Sequence, residues 1–153
     1  MHQLLVTRVG KRYAGWVTGD LAEIVSMPKL FPLPSPLPHL AGTVFMRGRL
    51  VSVVDTHSLM GEPREQPPPG LLARLAPPLG HLALSLASIE AVLPYEVLNL
   101  REEEAEGIWA GLYPWEDVWV NVVRPKAVAE EIGRHVASSI RYQTPVAGRE
   151  HAP

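Results

Sequence analysis

Proline is the residue that most narrows what this chain can fold into. Its 16 prolines are about twice the usage of roughly 5% in ordinary proteins. They concentrate in two stretches, Pro28–Pro38 and Pro63–Pro78. Proline fixes φ and lacks an amide donor, so both stretches read as connections and not as central strands. The segments left between them carry short apolar runs of strand length. Leu50-Val51-Ser52-Val53-Val54 is β-branched, as a half-buried strand requires. Leu82, Leu84 and Leu86 alternate with small residues. Only after Pro125, which suits a first helical position, does an apolar residue recur every fourth place, at Val128, Ile132, Val136 and Ile140.

In chain order, Leu4–Val9 and Arg12–Thr18 form a hairpin around Gly10-Lys11. Asp20 reads as the cap of a helical turn carrying Leu21, Ile24 and Val25 inward. Gly42–Arg47 and Leu50–Asp55 make a second hairpin, turning at Gly48-Arg49, and Asp55 caps a short turn over Thr56–Met60. After 67–70 the plan recurs. Leu71–Leu75 and His81–Leu86 are strands, Ser88 caps a turn with Ile89, Val92 and Leu93, and Ile108–Tyr113 pairs with Val118–Val123 around Pro114–Asp117. An offset of 69 residues (111 − 42) lays Gly42 on Gly111, Val44 on Tyr113, Val51 on Val120 and Val53-Val54 on Val122-Val123. The expectation is a mainly all-β chain of two similar small units, roughly 1–66 and 67–124, with exchange of strands between them allowed. A helix over 125–140 completes a domain of residues 1–142, and 143–153 form a flexible tail.

Composition narrows the function. The 153 residues are 46% hydrophobic and 20% charged, enough apolar material to bury a core. A net charge of −2 offers no electrostatic footprint for nucleic acid. The absence of cysteine removes disulfides, thiolate nucleophiles and Cys-based metal sites. The N-terminal segment lacks the charged and apolar regions of a signal peptide, and no run approaches the roughly 20 apolar residues of a membrane helix, so a cytoplasmic protein without membrane insertion is expected. The six histidines show no His-x-His or His-x₃-His spacing. Asp55 and His57 share a strand face only if the strand continues, and capping by Asp55 is the simpler reading. No Gly-x-Ser-x-Gly elbow or phosphate-binding loop is present. Neither a catalytic set nor a cofactor, metal or tightly bound nucleotide is therefore expected.

The stretch Leu40-Ala41-Gly42-Thr43-Val44-Phe45-Met46-Arg47-Gly48-Arg49-Leu50-Val51-Ser52-Val53-Val54-Asp55 resembles the hallmark of CheW-like coupling domains, roughly G-V-x-N-L-R-G-x-x-V-P-V-V-D-L. The passage Leu21-Ala22-Glu23-Ile24-Val25 followed by Pro28, Leu30, Pro32, Leu33 and Pro34 is similar to the family as well, and so is Val6-x-x-Val9-Gly10-x-x-Tyr13-Ala14. The chain diverges where Phe45-Met46 replaces Asn-Leu, Ser52-Val53 replaces Pro-Val, and Thr56 replaces Leu. The resemblance implies two SH3-like five-stranded barrels packed on an apolar seam. It also implies a non-enzymatic adaptor, which couples the cytoplasmic tip of a methyl-accepting chemoreceptor to the regulatory domain of a CheA-type histidine kinase. The kinase is met by barrel ends and the receptor tip by a groove between the barrels. The partner-binding residues it points to are Phe45, Met46, Arg47, Gly48 and Asp55, with Arg47 as a contact residue and not a fold determinant. The competing reading is a CheW-like sensor or regulatory module for a small ligand or another protein.

Overall fold

A computed structural model describes residues 2–34, 36–64 and 70–137. The described residues hold ten strands and two α-helices: β1 (His2–Val9), β2 (Arg12–Val17), β3 (Leu21–Ser26), β4 (Leu40–Met46), β5 (Arg49–Val54), α1 (Thr56–Leu59), β6 (Leu71–Leu75), β7 (Leu82–Leu86), β8 (Ile89–Tyr95), β9 (Trp109–Trp115), β10 (Val118–Val123), and α2, helical over 125–137. The expected helix start at Pro125 is met. Positions 138–140, the tail 143–153 and the prolines at 67–69 lie outside the described residues.

The strands form two five-stranded sheets, β8-β1-β2-β10-β9 and β3-β6-β7-β5-β4. One sheet uses consecutive chain, Leu21 to Leu86; the other joins the first hairpin to the last three strands. A cut at 66/67 therefore separates neither sheet from the other. The two sheets have the same pairing plan. In each, a central antiparallel pair (β1–β2, β6–β7) is flanked by an antiparallel edge strand on one side and joined in parallel to a hairpin on the other.

The 69-residue repeat is carried by the hairpins themselves. β4–β5 pairs Gly42 with Val53, Val44 with Val51 and Phe45 with Leu50. β9–β10 pairs Gly111 with Val122, Tyr113 with Val120 and Pro114 with Trp119. Both hairpins slip register next to the glycine, and the glycines share φ values of 151° and 147°. A Cβ at either would lie 2.4 Å from a carbonyl oxygen, that of Phe31 or that of Arg101. Each glycine lets a crossing segment bridge to the next residue, Phe31 to Thr43 and Arg101 to Leu112.

Two segments read as helical turns are strands. Leu21–Ser26 pairs with β6 and Ile89–Tyr95 with β1. In β3 the half-buried positions are Leu21, Glu23 and Val25. A charged residue on the inner face breaks the apolar alternation by which a strand is recognised. The second hairpin turns at Arg47-Gly48, one residue earlier than read, with both φ values positive (50° and 76°) as a two-residue primed turn requires.

Three apolar cores follow from strand alternation. Leu4, Val6, Tyr113, Val120 and Val122 fill one barrel, and Val44, Met46, Val51, Val53, Leu72 and Ala83 the other. The residues between them point the opposite way into a shared seam. There Leu5, Val9 and Trp16 meet Val54, Leu75, Leu82, Leu84 and Leu86, with Val128 and Ile132 of α2 closing it. The alternation in β7 is thus leucines toward the seam and Ala83 toward its own barrel. In the seam Trp16 is fully buried, and its Nε1 donates to Thr7 Oγ1 at 3.2 Å.

Two predictions follow from this packing. Because the largest core is common to both sheets, heating should give one cooperative transition by circular dichroism and Trp fluorescence; two resolved steps would show independent barrels. Gly42→Ala and Gly111→Ala should each cost about 2 kcal/mol or more, by forcing a side chain onto a carbonyl at a left-handed φ. Gly48→Ala, with no atom within 4 Å of the added Cβ, should cost about 1 kcal/mol, for φ alone. Urea denaturation of the three variants checks the order.

Candidate functional site

The tip of the β4–β5 hairpin gathers the most distinctive exposed chemistry of the consecutive-strand sheet. β4 is an edge strand, and Phe31 adds a bridge to its outer edge at Thr43. Phe45 and Leu50, cross-strand partners, are each 59% exposed. Phe31, bridged to Thr43, sets its ring edge-on to Phe45 at 6.1 Å, and the Lys29 ammonium sits 5.2 Å from the Phe31 ring. Together Phe31, Phe45 and Leu50 form an exposed apolar patch at the foot of the turn.

Beyond the patch lies a basic cluster. The Arg47 side chain is 72% exposed, and its Nε donates to Glu23 Oε2 at 2.7 Å. Arg74 donates to the same oxygen at 3.0 Å. Two guanidiniums on one carboxylate leave a net positive charge, to which Arg49 adds. A depression of about 250 Å³ lies among Met46, Arg47, Arg49, Val51, Arg74 and Gly80. Glu23 is thus the buried-face charge of β3, and its hydrogen bond from Arg47, then that from Arg74, holds its carboxyl below the usual 4.5. The pair lies shallow enough for water to screen it.

The expected site residues divide. Phe45 and Arg47 are exposed, and Gly48 has open space around it. Met46 faces the barrel interior with Val44 and Val53. Asp55 is buried: Oδ1 accepts from the Ser58 amide at 3.1 Å as the α1 cap, and Oδ2 pairs with Arg64 at 3.2 Å. Residue type alone could not reveal that Phe31, Leu50, Glu23 and Arg74 share this end of the barrel, because the sequence separates them by as many as 51 positions.

A second concavity, of about 380 Å³, opens where the β6–β7 loop of one sheet meets the end of the other. Val17, Asp20, Pro77, Tyr95, Arg124 and Lys126 help line it. Burial pushes both the Asp20 carboxyl and the Tyr95 hydroxyl up. A third group joins residues far apart in sequence: His39, Glu131 and His135. The histidines, dispersed along the chain, are not all dispersed in space. Among the described residues no helix is long and apolar enough to cross a membrane.

The comparisons agree with this geometry. Residues 3–77, which hold β1 to β6, match the family model of the CheW-like domain. The scaffolding protein CheW of Thermoanaerobacter tengcongensis superposes with a TM-score of 0.70, over 80% of this chain and 88% of that one, at 13% identity. At that identity what is shared is the fold, two SH3-like domains with a C-terminal helix. A comparison with curated proteins finds no match.

The Glu23 cluster predicts an acid response. A carboxyl whose folded pKa lies below its unfolded value stabilises the fold above the unfolded pKa. That contribution disappears as pH falls through the lower, folded value. Glu23→Gln should therefore be less stable than the parent at pH 7, and the two should converge between about pH 4.5 and the folded pKa. Denaturation midpoints from pH 7 to 3 check this; parallel pH profiles would show that the pair contributes nothing.

Proposed function

We propose that this chain, a CheW-like family member, works as a non-enzymatic scaffold in chemotaxis-type signalling. It joins the regulatory domain of a CheA-type histidine kinase to the cytoplasmic tip of a methyl-accepting chemoreceptor. The observation that carries the reading is the β4–β5 tip, where an exposed aromatic and aliphatic patch adjoins an arginine cluster at the end of an edge strand. Such a surface suits a protein partner better than a small substrate. Apolar side chains supply area to be removed from water, and arginines supply bidentate contacts to carboxylates.

In this reading the β4–β5 end, centred on Phe45 and Arg47 with Leu50 beside them, meets the kinase domain. Met46 and Asp55 act behind it. Met46 fills the barrel under the turn, and Asp55 caps α1 and fixes the far end of β5. The cleft lined by Asp20, Tyr95, Arg124 and Lys126 takes the receptor tip. Its shape follows from the barrel–barrel seam, so a helical hairpin could enter it without opening either barrel.

Arg47→Ala tests the assignment. Arg74 still holds Glu23 in the variant, so stability should change by less than about 1 kcal/mol. Affinity for the kinase regulatory domain, by calorimetry, should fall roughly tenfold or more, equivalent to about 1.4 kcal/mol. Phe45→Ala should act in the same direction through lost apolar area. Unchanged affinity with the fold intact would mean that this hairpin is not the contact.

A further inference from the structure

The cluster His39, Glu131 and His135 lies apart from the β4–β5 tip and takes no part in the scaffold reading. Among the described residues it is the one group of histidine and carboxylate side chains whose three ligand atoms all fall within 4.8 Å of one another. We propose that these residues bind a divalent transition ion of the zinc type, which clamps α2 to the loop leading into β4.

The chain prepares each ligand separately. Glu131 and His135 are four residues apart on α2 and so share one face; Glu131 Oε1 lies 3.1 Å from His135 Nε2. The other carboxylate oxygen, Oε2, is engaged by Arg134, which orients the group and leaves Oε1 toward the histidines. His39 comes from the loop that enters β4. Its backbone has φ of 65°, a conformation that bulky residues rarely adopt. Its carbonyl accepts from the Asp55 amide at 2.8 Å, so the residue is tied to the end of β5. That backbone turns the imidazole edge-on to His135, with ring centroids 5.4 Å apart. His39 Nδ1 lies 3.0 Å from Ser58 Oγ. An Nδ1–H donated there holds the ring and leaves the Nε2 lone pair for the ion, the usual arrangement of a histidine ligand and its outer partner.

The chemistry of the set selects the ion. Two imidazoles and one carboxylate suit zinc and its first-row neighbours, whereas magnesium and calcium take oxygen ligands. At Zn–N and Zn–O distances of about 2.0–2.2 Å, tetrahedral ligand atoms stand about 3.3 Å apart. The Glu131–His135 pair is already at 3.1 Å. Any other separation, at most 4.8 Å, closes by no more than about 1.5 Å, within reach of side-chain rotation. Three protein ligands leave a fourth position to water. All three residues are half-buried, which shelters the site yet leaves it a path to solvent. The ion would also join α2 to the start of the β4–β5 hairpin. α2 is anchored by Val128 and Ile132 in the seam, and His39 directly precedes the strand that leads to Arg47.

The test uses the untagged chain, stripped with a chelator and titrated with zinc alone, followed by calorimetry and by thermal melting. Expected are one zinc per chain and a melting temperature that rises with free zinc. His135→Ala and His39→Asn should each weaken zinc at least about tenfold. Asn removes the imidazole but tolerates the left-handed backbone at 39. His81→Ala, at an exposed histidine outside the cluster, should bind as the parent does. Each variant is compared with itself with and without zinc, so a general loss of stability does not imitate loss of the site. No zinc-dependent shift in the parent, an undiminished shift in His135→Ala, or an equal shift with magnesium would each overturn the proposal.

Discussion

The apolar seam between the two sheets is the interaction on which everything else depends. Neither barrel encloses more than a handful of side chains, five in one and six in the other. That is too little apolar surface to hold five strands against their conformational entropy. The chain solves this by burying both faces of its inner strands. Leu4 and Val6 point into one barrel while Leu5 points into the seam, and Ala83 points into the other barrel while Leu82 and Leu84 point out of it. A strand buried on both faces cannot shift register by one residue without exchanging large side chains for small ones. The small residues mark where the barrels are tightest. A Cβ at Gly15 would stand 2.8 Å from Val120 Cγ1 and 3.1 Å from Leu4 Cδ1.

Strand exchange strengthens that dependence. The first hairpin closes a sheet whose other strands are the last three in the chain, with the whole second sheet inserted between them. α2 then returns to the seam, where Val128 is fully buried and Ile132 nearly so. The groove between the barrels and the hairpin tips at their ends are therefore held by one shared core. Nothing that loosens the seam leaves them in place.

Much of this was legible in the residues, and the failures have physical causes. The leucine alternation of β7 and the β-branched β5 were plain because their large residues face one core with regular period. The repeat was legible because Gly42 and Gly111 occupy the same strained position beside a crossing strand. β3 and β8 misread as helical turns. At these sheet edges only every second residue is covered, and one of the covered positions is Glu23, whose charge is matched by arginines more than 20 residues away. The resemblance reached Arg47 and Phe45 through the local motif. It could not separate them from Met46 and Asp55, because exposure at a hairpin depends on the phase of the turn. That phase was set by Arg47, not Arg49, taking a left-handed backbone. His39 and His135, 96 positions apart, could be joined only by the fold.

The duplicated hairpins separate what packing dictates from what it leaves free. At the bulge and along the second strand the two copies agree, Gly42 with Gly111, Val51 with Val120 and Val53 with Val122, whereas the inward position of the first strand holds Val44 in one barrel and Tyr113 in the other. At the outward positions they diverge. Phe45 faces Leu50 in one hairpin, whereas in the other Pro114 faces Trp119, a ring covered in part by Arg101 at 5.1 Å. The turns diverge most. Arg47 and Glu116 both take a left-handed backbone, with φ of 50° and 53°, yet one turn presents Arg47 and Arg49 and the other Glu116 and Asp117. Core packing has no preference between arginine and glutamate at a solvent-facing turn. The shared frame therefore comes from the need to close two small barrels on one seam. The opposed charges of its two hairpin turns are a property of the surface alone, where partners are distinguished.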